Sequence, residues 1–325
     1  MENNKKIKWG IVGLGNIAQQ FASELQLIES AEIYAVASRN IDKAQDFANE
    51  FKCPKAYGSY DELFQDTEVD ILYIATPHDS HAELTIKALE NNKNVLCEKP
   101  LALHYKDVEQ MVATAKKQNK FFMEAFWTRF NPSMQETLEH IRNGAIGEVK
   151  YVNADFSIKF ENPDNTRMTD MKLGGGALMD IGVYPLFLAY LILGIPKEIL
   201  AKSQFYSTGA DAQTSIILQY ENAQAVLHSS FLYTCNVDAT ISGTKGRINL
   251  DPLWFMTESY SLTQGDQKTK FDKPTLGKGY TYEIEECHAC LRANKKESDL
   301  WSHQNSLELA KIIEDVKTQI GLQYS

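Results

Sequence analysis

A glycine-rich turn near the amino terminus is the feature that most constrains the fold of this chain, because it joins a strand pattern to a helix pattern. The residues Gly13-Leu14-Gly15-Asn16-Ile17-Ala18 match G-x-G-x-x-[GA] and follow the apolar run from Ile7 to Val12. In that context the first glycine allows a tight turn, the second lets a pyrophosphate approach the backbone, and the small last residue lets helix and strand pack closely. The turn predicts a dinucleotide site; a ligand-free strand-to-helix turn is the alternative.

Four more apolar strand patterns follow in the first third of the chain, and each is separated from the next by a helix pattern. Their segments are 32–37, 71–75, 94–97 and 121–123. Strands that alternate with helices and are apolar on both faces predict a doubly wound parallel sheet of the α/β class. After about residue 126 the pattern changes to about six longer, partly alternating runs, which predict an open, mainly antiparallel sheet in an α+β domain. We expect one domain over residues 1–125 and another over 126–325.

The charge balance argues against binding to polyanions. The chain carries a formal net charge of -10, so general nucleic-acid binding and membrane adhesion through basic patches are not expected. The longest charge-free stretch, from Ile181 to Pro196, is shorter than the roughly 20 residues that span a bilayer, and we expect a buried helix there. No apolar signal segment precedes the first strand, and we expect a cytoplasmic protein.

The five cysteines are widely scattered, which fits reduced thiols in the cytoplasm. Cys287 and Cys290 form a lone Cys-x-x-Cys pair without a second pair of ligands nearby, and His78 and His81 are likewise too few for a metal. We therefore expect no metal site.

The end of the second strand bears on the choice of cofactor. An NAD site usually carries an acidic residue there to bind the ribose hydroxyls, whereas this chain has Ser38 and Arg39. An arginine at this place pairs with a 2′-phosphate or lies flat on the adenine, and the alternative is a solvated surface charge. The pattern favours NADP(H), with NAD(H) remaining possible.

Ligands of such sheets bind outside the carboxyl ends of the strands. Three segments end there: Thr76-Pro77, with His81 beyond it, Glu98-Lys99-Pro100 and Glu124-Ala125-Phe126. In the second half, Gly174-Gly175-Gly176 precedes Asp180 and Tyr184, which are four residues apart and would share a helix face. We expect the glycines to let that helix approach a flat ligand.

With these motifs together, the chain resembles the glucose-fructose oxidoreductase / inositol dehydrogenase / rhizopine-catabolism (Gfo/Idh/MocA) family along its whole length. The matching patterns are G-x-G-x-x-A, T-P-x-x-x-H, E-K-P and G-G-G-x-L-x-D-x-G-x-[HY]. Tyr184, where other members have histidine, and the segment from Met123 to Phe130 most resemble the branch of trans-dihydrodiol dehydrogenase and NADP-dependent D-xylose dehydrogenase.

The resemblance implies reversible hydride transfer between nicotinamide C4 and the carbinol carbon of a sugar or vicinal diol. It implies catalytic roles for Lys99, Tyr184 and Asp180: Tyr184 as acid/base, Lys99 favouring its ionised form, and Asp180 holding a substrate hydroxyl or orienting Lys99. It also implies a Lys99–Pro100 peptide that is often cis. The expected cofactor-binding residues are Gly13, Gly15, Asn16, Ile17, Ser38, Arg39, Thr76, Pro77, His81, Glu98 and Lys99.

Substrate contacts are expected from Trp127, Phe156, Arg167 and Asp180. Core packing is the alternative for the two aromatic residues, and a surface ion pair is the alternative for Arg167. The second domain should bind substrate and mediate oligomerisation, giving a homodimer or a higher homo-oligomer. A non-catalytic NADP-binding regulator of the same fold is the alternative function, although Lys99, Asp180 and Tyr184 favour an enzyme.

Overall fold

The computed structural model describes residues 5–160 and 167–324, which form fourteen strands and nine α-helices. The strands are β1 (Ile7–Val12), β2 (Ala31–Ala37), β3 (Lys55–Tyr57), β4 (Ile71–Ile74), β5 (Asn94–Glu98), β6 (Phe122–Ala125), β7 (Val149–Ser157), β8 (Glu198–Phe205), β9 (Asp211–Gln219), β10 (Gln224–Ser230), β11 (Ala239–Gly243), β12 (Arg247–Leu250), β13 (Ser259–Gln264) and β14 (Gln267–Asp272). The helices are α1 (Asn16–Leu25), α2 (Ile41–Phe51), α3 (Tyr60–Gln65), α4 (His81–Glu90), α5 (Tyr105–Gln118), α6 (Pro132–Arg142), α7 (Val183–Leu193), α8 (Tyr280–Arg292) and α9 (His303–Ile320).

The chain divides into two compact units, and the first recruits a distant segment. It comprises Met1–Phe130 with Leu276–Leu307, and the second comprises Asn131–Thr275 with Glu308–Ser325. The boundary expected after residue 125 lies close to the first of these breaks. The return of residues 276–307 to the first unit was not anticipated, because sequence order alone does not report which sheet a late helix covers.

The first unit contains a six-stranded parallel sheet in the order β3-β2-β1-β4-β5-β6. The order reverses between β1 and β4, since the chain passes from β1 outward to β2 and β3 and then returns to the other side. That reversal opens a crevice at the carboxyl ends of the two strands. The predicted doubly wound class is confirmed, and the unpredicted β3 is a three-residue edge strand, too short to show a hydrophobic pattern.

The second unit contains an eight-stranded sheet in the order β14-β13-β12-β11-β7-β10-β9-β8. Its pairings are antiparallel except that of β10 with β7, which is parallel. The prediction of about six strands was short by the β13–β14 hairpin. Strand β14 has the sequence Gln-Lys-Thr-Lys-Phe-Asp and is mostly exposed. It therefore shows no alternation of apolar and polar residues that would have predicted a strand.

Helix α7 is the apolar segment that the sequence placed in the interior. By length and composition alone, the segment Met171–Leu193 could cross a membrane, and its mean hydropathy is 1.8. However, 78% of this apolar stretch is buried inside the fold. Its burial in the protein accounts for its composition. Pro185 lies near the start of α7, directly after a π turn over Leu178–Gly182; the irregular hydrogen bonding at this junction accommodates a residue without a backbone N–H, and Pro185 does not interrupt the helix.

Helix α8 packs against β1 of the first unit through a buried histidine. The indole Nε1 of Trp9 on β1 donates to Nε2 of His288 at 2.9 Å, and Oγ of Ser30 lies 3.1 Å from Nδ1. At the other end of the helix, Tyr280 stacks on Trp127 with ring centroids 4.4 Å apart. These contacts explain why residues 276–307 belong to the first unit.

The buried state of His288 predicts a pH-dependent stability. Burial, with a smaller effect from Arg292, lowers its pKa to about 4, whereas an unfolded histidine has a pKa near 6.5. Between these two pKa values the unfolded chain binds more protons than the folded chain. The contribution of neutral His288 to the free energy of unfolding is therefore present above about pH 6.5 and is lost as the pH falls towards 4. When the pH is lowered from about 7 to about 5, the melting temperature of His288→Gln should fall less than that of the wild type, because the variant has no histidine here that takes up a proton on unfolding. Equal shifts would contradict this.

Candidate active site

The glycine turn after β1 has the geometry that a dinucleotide site needs. Gly13 has a φ of +84°, and a Cβ at this position would lie 2.6 Å from Cγ2 of Thr76. Gly15, by contrast, has an ordinary φ of -89°, and a Cβ there would have no protein atom within 4 Å. Gly13 is therefore required by the protein itself, whereas the space beside Gly15 is open to a ligand.

The amino terminus of α1 carries neither a side-chain cap nor an acidic residue in its first turn. In the same unit, Asn40 and Ser59 cap α2 and α3 through their side chains. Without a cap, the first N–H groups of α1 and the positive end of its dipole favour an anion. Asn16 and Ile17 supply that first turn, so the structure places them where the pyrophosphate was expected.

The end of β2 presents Ser38 and Arg39 as predicted. The Ser38 hydroxyl is largely buried and accepts a hydrogen bond from the Asn40 N–H at 3.2 Å. Arg39 is exposed beside Tyr60. Burial raises the pKa of Tyr60, and the guanidinium of Arg39 opposes that rise. Arg39 is thus an exposed cation directly after β2, and its contact with a 2′-phosphate stays a prediction.

His81 connects the exits of two central strands. Its ring is fully buried; Nε2 lies 2.8 Å from the carbonyl oxygen of Thr76, and Nδ1 lies 2.9 Å from that of Pro100. Ser80 donates to the hydroxyl of Thr76 at 2.9 Å. The predicted cofactor residues Thr76, Pro77 and His81 therefore lie in one hydrogen-bonded turn, joined to the segment that holds Lys99.

Glu98 and Lys99 end β5 in a tightly bonded arrangement. The Tyr73 hydroxyl donates to Oε1 of Glu98, and the backbone N–H of Lys99 donates to Oε2 at 3.2 Å. The Glu98 side chain is buried, Lys99 is half-buried, and the Lys99–Pro100 peptide is cis, as the resemblance implied. The Glu98 carboxylate is thus committed at least in part to holding the strand end, which sequence reasoning did not anticipate.

A second acid, Glu124 at the end of β6, lies near Lys99; its segment was expected at this sheet edge, but no role was assigned to it from the sequence. Burial raises the pKa of Glu124 to about 7, against the opposing effects of Ser306, Trp301 and the Lys99 ammonium. The indole of Trp301 donates to Oε2 of Glu124 at 3.3 Å. Only the return of residues 276–307 to this unit brings Trp301 there, so no local sequence signal marked the contact.

In the second unit, Tyr184 lies in an aromatic cluster. Its ring centroid is 5.4 Å from that of Phe156 and 5.3 Å from that of Phe255, and the two phenylalanine rings stack at 4.4 Å. Tyr184 is 6% exposed. Phe156 was a predicted substrate contact, whereas Phe255 was missed because it lies in a short turn without periodic pattern.

Asp180 pairs with Arg167, whose guanidinium lies 3.1 Å from Oδ1. The surface ion pair weighed for Arg167 is therefore present, with side chains 41% and 19% exposed for Arg167 and Asp180. Asp180 lies in a π turn, Leu178–Gly182, that precedes α7. The simple four-residue spacing of an α-helix, assumed from the sequence, does not apply across this junction to Tyr184.

The three glycines before the π turn serve the packing of the protein itself. Gly176 has a φ of +134°, and a Cβ there would lie 2.3 Å from Oδ1 of Asp211. Asp211 is buried; it accepts from the N–H of Leu178 at 2.9 Å and from the Thr214 hydroxyl at 2.7 Å. The close approach of a buried carboxyl therefore requires the absence of a Cβ at Gly176, and the approach of a flat ligand to this segment stays a prediction.

Trp127 belongs to the first unit, is 4% exposed and stacks on Tyr280, so its visible role is packing. Across residues 5–160 and 167–324, clusters of three or more side chains suited to a metal are not found. His78 and His81 meet edge to face at 5.6 Å. Burial raises the pKa of the Cys287 thiol well above its ordinary value and that of Cys290 to about 12, which disfavours the reactive thiolate.

The fold and these strand-end residues define an NAD(P)-dependent oxidoreductase that acts on CH–OH groups. Residues 7–126 match the oxidoreductase family with an NAD-binding Rossmann fold, and residues 134–249 match the Gfo/Idh/MocA C-terminal domain. The chain belongs to the Gfo/Idh/MocA family.

Relatives and solved structures agree with that membership. The chain is 37% identical to trans-1,2-dihydrobenzene-1,2-diol dehydrogenase of Xenopus tropicalis, over 98% of this chain and 99% of the relative, and 34% identical to the Homo sapiens enzyme of the same name, over 98% of each. A 3-ketoreductase from Actinomadura kijaniata, solved with NADP and TDP-benzene, is 25% identical with a TM-score of 0.87, covering 97% and 98% of the two chains. Aldose-aldose oxidoreductase from Caulobacter crescentus, 24% identical over 97% of each chain with a TM-score of 0.89, shares the fold.

The two glycines of the turn predict separable effects. Gly13→Ala should lower the free energy of unfolding by about 1–3 kcal/mol and weaken NADPH binding, because it adds strain and a clash. Gly15→Ala should change that free energy by less than about 1 kcal/mol and still weaken NADPH binding about tenfold, because its Cβ fills only ligand space. Chemical denaturation and NADPH fluorescence titration measure the two. Unchanged NADPH binding in Gly15→Ala would refute the assignment of the pyrophosphate.

Proposed function

We propose that this protein is an NADP-dependent oxidoreductase that transfers a hydride between nicotinamide C4 and the carbinol carbon of a vicinal diol or sugar. The observation that carries the proposal is the placement of Lys99 at the carboxyl end of β5. That strand pairs with β4, which borders the crevice beside the glycine turn. A lysine there lies at the sheet edge where the nicotinamide would bind.

The proposed chemistry assigns each group one task. In the oxidation direction, the C–H bond of the carbinol breaks and its electron pair passes to the nicotinamide. The hydroxyl proton passes to Tyr184, and the substrate becomes a carbonyl compound. Lys99 supplies a positive charge at the carboxyl end of β5, and Asp180, held by Arg167, binds a substrate hydroxyl.

The surroundings of Tyr184 bear on the substrate. Phe156 and Phe255 give it apolar aromatic neighbours, which suit the unsaturated ring of a dihydrodiol or the apolar face of a sugar ring. The frog and human relatives are named for a dihydrodiol, which supports the first of these. We place trans-dihydrodiols first and aldoses second among the substrates to be tried.

We also propose a cytoplasmic homodimer or higher homo-oligomer. Strand β8 lies at the edge of the second sheet and exposes Leu200 and Phe205 by 51% and 43%. Exposed apolar side chains on an edge strand favour association with another chain. Light scattering during size-exclusion chromatography measures the oligomeric state, and a monomer at micromolar concentration would contradict the proposal.

Removing either reacting side chain should abolish most turnover. In an assay of NADP reduction with diols and aldoses, Lys99→Met and Tyr184→Phe should each lower turnover about a hundredfold or more while NADPH binding stays nearly unchanged. Lys87→Met, which removes an exposed lysine on α4, serves as the control and should retain activity. Near-normal turnover in either active-site variant would overturn that residue's role.

Arg39 should determine the preference between the two nicotinamide cofactors. Arg39→Ala should weaken NADPH binding about tenfold or more and leave NADH binding nearly unchanged, because only NADPH carries the 2′-phosphate. Lys43→Ala removes a nearby exposed cation on α2 and should affect neither. Titration of both cofactors against the three proteins decides the matter, and equal losses for NADPH and NADH in Arg39→Ala would be evidence against this role.

A further inference from the structure

The residues that follow α9 fold into the second unit and place a buried tyrosine there. Gly321 has a φ of +77°, and the N–H of Leu322 donates to the carbonyl oxygen of Lys317 at 3.0 Å, which closes the end of the helix. After this turn, the ring centroid of Tyr324 lies 5.6 Å from the ammonium of Lys317. Tyr324 is 6% exposed, and its hydroxyl donates to the carbonyl oxygen of Gly175 at 2.9 Å.

The peptide group between Gly175 and Gly176 is therefore held on both sides. Its carbonyl oxygen accepts from Tyr324, and its N–H, which belongs to Gly176, donates to the carbonyl oxygen of Met168 at 2.8 Å. Hydrogen bonds on the two sides of one peptide group strengthen each other in a buried environment. The carbonyl oxygen of Gly176 in turn accepts from the N–H of Asp180 at 3.2 Å. The position of this peptide group thus fixes the start of the π turn that carries Asp180.

These bonds close the segment from Arg167 to Asp180 on itself. The backbone of Asp180 is joined to Gly176, and Gly176 is joined to Met168. Arg167 precedes Met168, and its guanidinium returns to the Asp180 side chain at 3.1 Å. Tyr324 connects this closed segment to α9. The segment holds both members of the ion pair to which the proposed chemistry assigns a substrate hydroxyl.

Two buried side chains from outside this segment anchor it, and they differ in what else they hold. Asp211 on β9 accepts from the N–H of Leu178 at 2.9 Å and also from the Thr214 hydroxyl of the same strand at 2.7 Å. The Tyr324 hydroxyl donates to the segment itself. Burial, followed by the charges of Asp211 and Asp180, raises the pKa of Tyr324, so it stays a neutral donor. Removing this hydroxyl therefore alters the segment and leaves the bonds within the sheet in place.

We propose that Tyr324 is a positioning residue for substrate binding, which acts by fixing the Gly175–Gly176 peptide group and through it the pair of Arg167 with Asp180. The inference rests on the proposed function, in which Asp180 binds a substrate hydroxyl. Without the Tyr324 hydroxyl, a buried carbonyl oxygen loses its donor, so the peptide group turns towards another partner and Asp180 moves with it. The proposed cofactor residues all belong to the first unit, so NADPH binding is expected to be unaffected.

Tyr324→Phe is the decisive variant, because it removes the hydroxyl and keeps the aromatic ring beside Lys317. Steady-state assays of NADP reduction use the diol or aldose that the wild type oxidises. The KM for that substrate should rise about tenfold while kcat stays within about threefold. The affinity for NADPH, measured by fluorescence titration, should stay within about twofold. A merely structural role would lower the melting temperature without separating KM from kcat in this way.

Tyr220→Phe is the matched control. Tyr220 is 7% exposed, and its hydroxyl has no hydrogen-bond partner among the described residues, so the same chemical change should leave KM unchanged. Hydrogen exchange, measured by mass spectrometry on peptides that cover residues 168–180, gives a readout that needs no substrate. Exchange there should quicken about tenfold in Tyr324→Phe and stay unchanged in Tyr220→Phe.

A double-mutant cycle tests the path of the effect. In Arg167→Gln the ion pair with Asp180 is already lost. Adding Tyr324→Phe to this variant should therefore change kcat/KM by less than about twofold. Additive losses in the two single variants would contradict a path through the ion pair.

An unchanged KM in Tyr324→Phe would overturn the positioning role, whether or not hydrogen exchange quickens, and would leave the proposed function in place. Wild-type protein that binds NADPH but transfers no hydride with any diol or aldose would remove the proposed function and the role of Tyr324 together.

Discussion

The parallel pairing of β1 with β4 is the constraint on which the reaction edge of the first unit depends. The register runs from Trp9 opposite Ile71 to Val12 opposite Ile74, so the two strands end side by side. The chain leaves β1 towards β2 and leaves β4 towards β5, which separates the two connections and opens the crevice. The same pairing brings Thr76 against Gly13 and makes the absence of a Cβ there a requirement of the protein.

Around that crevice, buried polar groups hold the strand ends. His81 joins the exits of β4 and β5, and Tyr73 and the Lys99 N–H hold the Glu98 carboxylate. In a low-dielectric interior such bonds are strong, and a buried group left without one is costly. Glu283 differs from these groups, since both of its carboxyl oxygens are buried without a partner among the described residues.

The sequence predicted most of the strands, because their hydrophobic patterns are regular. It missed the short edge strand β3 and the hairpin of β13 with the polar edge strand β14. It predicted roles for Lys99, Tyr184, Asp180 and the glycine turn from motifs, and it placed Glu124 at the sheet edge without a role, whereas Phe255 carries no motif. Glu283 had a faint signal, an acid within the buried face formed by Tyr280, Ile284 and Cys287.

By itself, the sequence determined the two kinds of sheet, the dinucleotide turn and the residue types at the strand ends, because these depend on local periodicity and local backbone sterics. The tertiary structure alone decided that α8 returns to the first unit, that the carboxyl of Asp211 occupies the space beside Gly176, and that Trp301 donates to the buried carboxyl of Glu124. Such contacts join residues far apart in the chain, and their energies arise from burial and neighbouring charges, which no short stretch of sequence contains.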